Sequence, residues 1–374
     1  MITQKSLPLY LSALVLVFAS CCTTRPSASP EHVVPGDESR GNTEQPVVSE
    51  TQVVQAVVNK TYEDVVLGLI NGAEQKIRVV HFECNHDGTI NNIIAALKEA
   101  AQRGVSVQVL LEGDVDDNVA RVEELTAAGI IAKLDGDKRY THAKLIIVDG
   151  LHTLLGSTNW SYKSIRYNNE TNLLLTSASV GAWFEAYAEA LWANGDLSPD
   201  LEPVSDVDHG LVRTLHDGDY VEAITPLLQD AKERISLVVY GMNINPDYPD
   251  SDIYKLAAHL AAAKKRGVSV RIILEASDYN DMLNEVNQRS ADYLGQSCIE
   301  VRFEPLDVIT HAKLLVVDNV AVVGSNNWGH GGFELYHEVG AITDSPVVVD
   351  SLHAYFEGIW NESTAASTRC TTDP

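Results

Sequence analysis

The sequence predicts an α/β protein made of two homologous halves, and three observations lead there. Ala101-Gln102-Arg103-Gly104-Val105-Ser106-Val107 returns as Lys264-Lys265-Arg266-Gly267-Val268-Ser269-Val270, and Thr141-His142-Ala143-Lys144-Leu145 returns as Thr310-His311-Ala312-Lys313-Leu314. The offsets, 163 and 169 residues, are far longer than a solenoid period and suit a duplicated domain. The third observation is that apolar strand-like runs alternate with Ala/Leu-rich helical stretches in the same order in both halves. The halves are expected at 51–200 and 201–374.

The elements follow in parallel. Each half opens with a helix (Tyr62–Ala73; Tyr220–Ala231) and an apolar strand (Ile77–Phe82; Ile235–Tyr240). A second helix (Ile90–Gln102; Ile253–Lys265) stops at Gly104 or Gly267, residues that tolerate the left-handed conformation of a helix C-terminus. A second strand follows (Val105–Leu111; Val268–Leu274), then a helix, a short strand, a hairpin and a closing helix (Val180–Ala193; Val347–Trp360). The stretch Gly241–Ser251 has no counterpart of equal length in the first half and reads as a loop at a strand end, where α/β folds place substrate contacts.

Ahead of the halves, residues 1–20 carry Lys5 and the apolar run Leu7 to Ala19, too short for an ordinary transmembrane span and read as an export signal. Small residues stand directly before Cys21, as in a bacterial lipobox, although Phe18 replaces the usual Leu. The expectation is a cell-envelope lipoprotein acylated on Cys21, with a soluble secreted product as the alternative. Residues 21–50, with Pro26, Pro30, Pro35 and Pro46 among Ser, Thr, Glu and Gly, read as a disordered tether.

Charge limits the partners. With 27 Lys+Arg against 52 Asp+Glu in 374 residues, the net charge is −25, which argues against a non-specific nucleic-acid coat protein without excluding a local basic pocket. Five cysteines without a CxxC pair give no metal-finger spacing, and their pairing is not legible.

The chemistry lies in a constellation that occurs twice. His142-Ala143-Lys144 through Asp149 is followed by Gly156-Ser157-Thr158-Asn159-Trp160 and then Glu170; His311-Ala312-Lys313 through Asp318 is followed by Gly324-Ser325-Asn326-Asn327-Trp328 and then Glu338. On a strand, His and Lys two residues apart share a face. Asp149 and Asp318 lie at odd parity from their histidines and are assigned a structural role, such as ion pairing. Glu170 and Glu338 are the candidates for holding an imidazole in its working tautomer. Trp160 and Trp328 are expected in the core.

A lone HxK on a strand is ordinarily a satisfied surface pair. Two full copies inside otherwise diverged halves are not what core packing requires. Two imidazoles suit a two-step displacement at phosphorus, one as nucleophile and one as proton donor. Lys144 and Lys313, with Ser157, Ser325, Asn159 and Asn327 as neutral donors, could stabilise non-bridging phosphate oxygens. No divalent-metal site is expected, because lysines occupy the positions an ion would serve, and no cofactor is expected.

The duplicated HxKxxxxD with GSxN and a downstream acid resembles the phospholipase D superfamily over residues 60–361. The resemblance implies an α/β/α sandwich with a mixed sheet in each half, packed about a pseudo-twofold with one shared active site, and a metal-independent phosphohistidine intermediate. It also implies His142 as nucleophile and His311 as acid, then base. The leading expectation is a phospholipase D-type phosphoric diester hydrolase acting on phospholipid headgroups from a lipid anchor, as a monomer. The alternatives are a nuclease of the same superfamily, a cardiolipin synthase-like phosphatidyltransferase and, last, a non-catalytic binder of phosphorylated ligands. The export signal and acidic surface disfavour nucleic acid as the partner; the lack of apolar spans beyond residue 19 weighs against the synthase.

Overall fold

A computed structural model describes residues 54–136, 138–206, 212–367 and 370. The apolar N-terminal run, Cys21 and the expected tether lie outside the described residues. The first half contains β1 (Val54–Val58), α1 (Thr61–Gly72), β2 (Lys76–His81), α2 (Gly88–Gln102), β3 (Ser106–Leu111), α3 (Asp116–Ala127), β4 (Ile131–Leu134), β5 (Tyr140–Thr141), β6 (Lys144–Val148), β7 (His152–Gly156), α4 (Tyr162–Arg166), β8 (Thr171–Thr176) and α5 (Ala178–Ala193). The second contains β9 (Ser205–Asp206), β10 (Val212–His216), α6 (Asp219–Asp230), β11 (Arg234–Val239), α7 (Asp252–Lys265), β12 (Ser269–Leu274), α8 (Asp281–Gly295), β13 (Glu300–Phe303), β14 (Lys313–Val317) and β15 (Val320–Gly324). After a π-helical turn (Gly331–Leu335) come β16 (Tyr336–His337), β17 (Val339–Thr343), α9 (Pro346–Glu362) and β18 (Thr364–Ala365).

Each half carries one mixed sheet, as expected: β1-β8-β7-β6-β2-β3-β4 and β18-β13-β12-β11-β14-β15-β17-β10-β9. Within them β2, β3 and β4, and likewise β11, β12 and β13, run parallel, while β6 and β14 join antiparallel. The central strands are apolar without a polar face because both of their faces are covered. In β6, Ile146 and Val148 face the outer core under α1 and α2, whereas Leu145 and Ile147 face a central core. In β14, Leu315 and Val317 turn outward, and Leu314 and Val316 join that same central core. The closing helices fill it with Trp183, Phe184 and Tyr187 from α5 and Leu352, Phe356 and Trp360 from α9. One apolar cluster thus cements the two halves along their inner faces.

Two features went unread in the sequence. β1, an edge strand, and β10, flanked on its outer side only by the two-residue β9, pair antiparallel with β8 and β17, bringing the turns after them against Glu170 and Glu338. Cys298 is joined to Cys370 across a separation of 72 residues, while Cys84 is a buried free thiol. The bridge ties the C-terminal segment to the turn between α8 and β13. Closing a loop of 72 residues removes chain entropy worth about 4 kcal/mol. Thermal melts with and without a reductant should therefore show a clearly lower midpoint for the reduced protein.

Candidate active site

The two motif copies meet through an exchange of strands between the halves. Tyr140-Thr141 in β5 pair in parallel with Tyr336-His337 in β16, and the His142 backbone N–H donates to the His337 carbonyl at 2.9 Å. The reciprocal contact runs from the His311 N–H to the Asn169 carbonyl, also 2.9 Å. The residue before each glutamate therefore grips the other half's histidine, and the glutamate that follows reaches its ring. His142 Nδ1 lies 2.9 and 3.0 Å from the carboxylate oxygens of Glu338; His311 Nδ1 lies 3.1 Å from both oxygens of Glu170. Each imidazole is oriented by an acid from the opposite half. Both rings are 2% exposed, and both carboxylates are fully buried, so water cannot screen these pairs.

His142 and His311 lie just ahead of β6 and β14, not on them as the strand reading expects; Lys144 and Lys313 open those strands, are buried, and each ammonium donates to the carbonyl of its own histidine, at 2.5 and 2.6 Å. Lys144 also sits 4.7 Å over the Phe82 ring.

Ser157 and Ser325 depart from the expectation that they are phosphate donors. Ser157 Oγ donates to Glu170 at 2.5 Å, Ser325 Oγ donates to Glu338, and each hydroxyl oxygen accepts the next strand's first N–H. A hydroxyl has one proton, and here it goes to the carboxylate. The preceding glycines permit this approach: a Cβ on Gly156 would collide with the Thr171 carbonyl, and one on Gly324 with that of Val339. Asn159 and Asn327 are buried, and neither Oδ1 has a protein partner.

Asp149 and Asp318 are structural, but as backbone caps and not as ion pairs. Asp149 accepts the N–H groups of Glu74, Gln75 and Lys76, and Asp318 those of Lys232, Glu233 and Arg234, at 2.8–2.9 Å. Both sit in the left-handed region, with φ of 55° and 49°, at the hairpin turn. Trp160 and Trp328 are buried, their indole N–H groups donating to Tyr62 and Tyr220.

Several supporting residues were missed. Glu112 accepts the Thr141 N–H and Glu275 the Thr310 N–H, so a carboxylate at the end of β3 or β12 braces the residue before each histidine. These acids are themselves 163 residues apart, the offset of the first repeat, which is the signal that could have found them. Ser164 and Asn168 also donate to Glu170.

The electrostatics of the two imidazole–carboxylate couples differ. Burial, then Lys144, Lys313 and His311, hold the His142 imidazole well below its usual range, and burial pushes its partner Glu338 up to about 8. The couple as a whole thus keeps its second proton into mildly alkaline solution. Burial would also raise Glu170, but the His311 charge and hydrogen bond, Lys313 and Ser157 outweigh it and hold that carboxyl below its usual range. Burial brings Lys144 down to about 7. If turnover needs the Lys144 ammonium, kcat/KM should fall as pH rises above about 7, because the charge is lost on that side. A bound phosphate anion stabilises the ammonium, so the same limb in kcat should lie at higher pH; a pH–rate series under both regimes checks this.

The description "Cardiolipin synthase, PLD-like domain" belongs to the family whose sequence profile matches residues 66–192 and 224–360. The chain belongs to this phospholipase D-like family of enzymes. It is 24% identical over 323 residues to the minor cardiolipin synthase ClsB of Bacillus subtilis, covering 79% of this chain and 78% of that one. It is 30% identical over 106 residues to a mitochondrial cardiolipin hydrolase of Xenopus tropicalis, a match to 27% of this chain and half of the hydrolase. In fold it is similar to phosphatidylserine synthase of Haemophilus influenzae, with a TM-score of 0.68 at 14% identity over 84% of this chain and 88% of that one.

Proposed function

We propose that the protein is a phosphatidyltransferase of the cardiolipin synthase type, passing a phosphatidyl group from one phospholipid to the alcohol of another. The observation that carries this reading is the similarity to a cardiolipin synthase over 79% of this chain, alongside a family profile that covers both motif copies. Headgroup hydrolysis, the leading expectation from sequence, ranks second; the cardiolipin hydrolase relative matches only 27% of this chain. A protein held by a lipid anchor at Cys21, as proposed below, would need no membrane span, so the lack of apolar runs beyond residue 19 does not weigh against a synthase.

In the first step, the Nε2 lone pair of one imidazole forms the N–P bond, the P–O bond to the departing alcohol breaks, and that oxygen takes the proton of the other imidazole. In the second, the now neutral imidazole removes the proton of the incoming alcohol as its oxygen attacks phosphorus; the P–N bond breaks and its electrons return to nitrogen. With Nδ1 held by a glutamate, Nε2 is the reactive nitrogen of both rings. Lys144, Lys313, Asn159 and Asn327 are the groups that would stabilise the equatorial oxygens.

Export and acylation at Cys21 belong to the same proposal, and the Cys298–Cys370 bridge supports a compartment outside the reducing cytoplasm. Incubating the protein in EDTA with phosphatidylglycerol vesicles and resolving the products decides the reaction. Cardiolipin plus glycerol is expected; phosphatidic acid alone would make it a hydrolase, and cleavage of single-stranded DNA with inert lipid would overturn the lipid reading. Because the protein carries a net charge of −25, it is repelled by such vesicles. Raising salt from about 0.05 M to about 0.3 M should therefore increase the initial rate severalfold.

A further inference from the structure

The pseudo-twofold is broken directly behind the two glutamates. In the first half, the turn after β1 places Asn59 against Glu170. Asn59 N–H donates to the Glu170 carbonyl at 3.2 Å, the Glu170 N–H donates to Asn59 Oδ1 at 2.9 Å, and the Tyr355 hydroxyl donates to the same Oδ1 at 2.8 Å. In the second half, the turn after β10 repeats this arrangement with Asp217. Asp217 N–H donates to the Glu338 carbonyl at 3.1 Å, the Glu338 N–H donates to Asp217 Oδ1 at 2.9 Å, and the Tyr187 hydroxyl reaches Oδ1 at 3.1 Å. Both residues are left-handed, with φ of 50° and 42°. Backbone, partners and shape correspond; what differs is an amide in one half and a carboxylate in the other.

We propose that Asp217 and Asn59 are positioning residues that divide the labour between the two imidazoles, making His311 the attacking one and His142 the proton donor. This rests on the two-step transfer proposed above and reverses the order that the family resemblance implies. An attacking couple must consist of a neutral ring donating from Nδ1 to an ionised glutamate, a net charge of −1. The donor couple holds one proton more and is neutral. A buried anion behind Glu338 disfavours the negative couple there, whereas the neutral amide behind Glu170 imposes no such penalty. Asp217 is ionised in this setting: Ser198 and His337 donate to its second oxygen at 2.5 and 3.1 Å, and its carboxyl lies far below its usual range because the nearby His216 imidazole and these two bonds outweigh burial. The groups facing it are His337, His216 at 3.8 Å, Arg139 at 3.9 Å and, beyond His216, Asp219. Arg139 and the two imidazoles weaken the Asp217 field, and Asp217 itself acts to raise Glu338. Facing Glu338 are also His142, Lys144, Lys313 and Ser325; facing Glu170 are His311, Lys313, Ser157, Ser164, Asn168 and Tyr355. The lysines act on both couples and do not create the difference.

The test is to quench the full chain during turnover of a short-chain phosphatidylglycerol, under denaturing alkaline conditions that preserve N–P bonds, and to map the phosphatidylated histidine by mass spectrometry. The wild-type adduct is expected on His311. Exchanging the pair (N59D/D217N) should move the adduct ratio toward His142 by at least about 10-fold, one pKa unit of reversed bias. N59D alone, which leaves the buried Asp217 network intact, should split the adduct between both rings. D217N should move the alkaline limb of kcat/KM to lower pH, and D217E should restore it; a merely structural role would move neither. An adduct on His142 in the wild type overturns the inference, as does one on His311 that both variants leave in place, while the two-step reading survives either result. Turnover without any adduct overturns the two-step reading, and the inference falls with it.

Discussion

Replacing either His142 or His311 with Asn is expected to lower phosphatidyl transfer at least about 10⁴-fold while leaving the fold intact. Each imidazole acts in both chemical steps, one making and breaking the N–P bond and the other shuttling the proton, so neither loss is rescued by the other. Asn reproduces the position and polarity of Nδ1 and can still donate to the opposite glutamate, so the buried Glu338 or Glu170 keeps a partner. Circular dichroism and the melting midpoint should therefore change little while the rate collapses. A variant retaining more than about 1% of the wild-type rate would remove that histidine from the chemistry.

The second large effect is expected from Glu170→Gln. Glu170 is fully buried, and His311, Ser157, Ser164 and Asn168 donate to it. An amide of the same shape accepts through one oxygen only, presents an N–H to groups that are themselves donors, and no longer stabilises a charged or Nδ1-protonated ring. Loss of the corresponding orienting acid in other imidazole-based sites costs about 10⁴-fold, and ~10³–10⁴-fold is expected here. Leaving buried donors and the Lys313 charge uncompensated should also destabilise the fold by about 3 kcal/mol or more. Denaturant unfolding of the variant beside Ser157→Ala separates the two losses. Ser157→Ala removes one bond to Glu170 and the acceptor of the Thr171 N–H, and should cost about 2 kcal/mol of stability and much less rate.

The pattern of these expected effects follows from where the information lies. The repeat, the HxK parity and the covered strands are local, because side-chain period and burial on both faces are written into runs such as Lys144 to Val148. For that reason the helices and strands around the motifs, the core placement of Trp160 and Trp328, and the structural role of Asp149 and Asp318 were readable. Ser157 and Ser325 were misread as phosphate donors because a hydroxyl serves whichever acceptor the fold brings within reach. In this fold that acceptor is the motif's own glutamate, 13 residues further on.

What the chain determined alone was the inventory: two imidazoles, two ammonium groups and two carboxylates, in an order that demands convergence. Only the tertiary structure decided the pairing, since Glu338 serves His142 and Glu170 serves His311 across separations of 196 and 141 residues. The same holds for Asn59 and Asp217, which follow β1 and β10, strands far along the chain from the motifs they brace. The physical reason is that a buried carboxylate acts through a few ångströms of low-dielectric space, and which groups share that space is set by how the two sheets pack, not by their spacing along the chain.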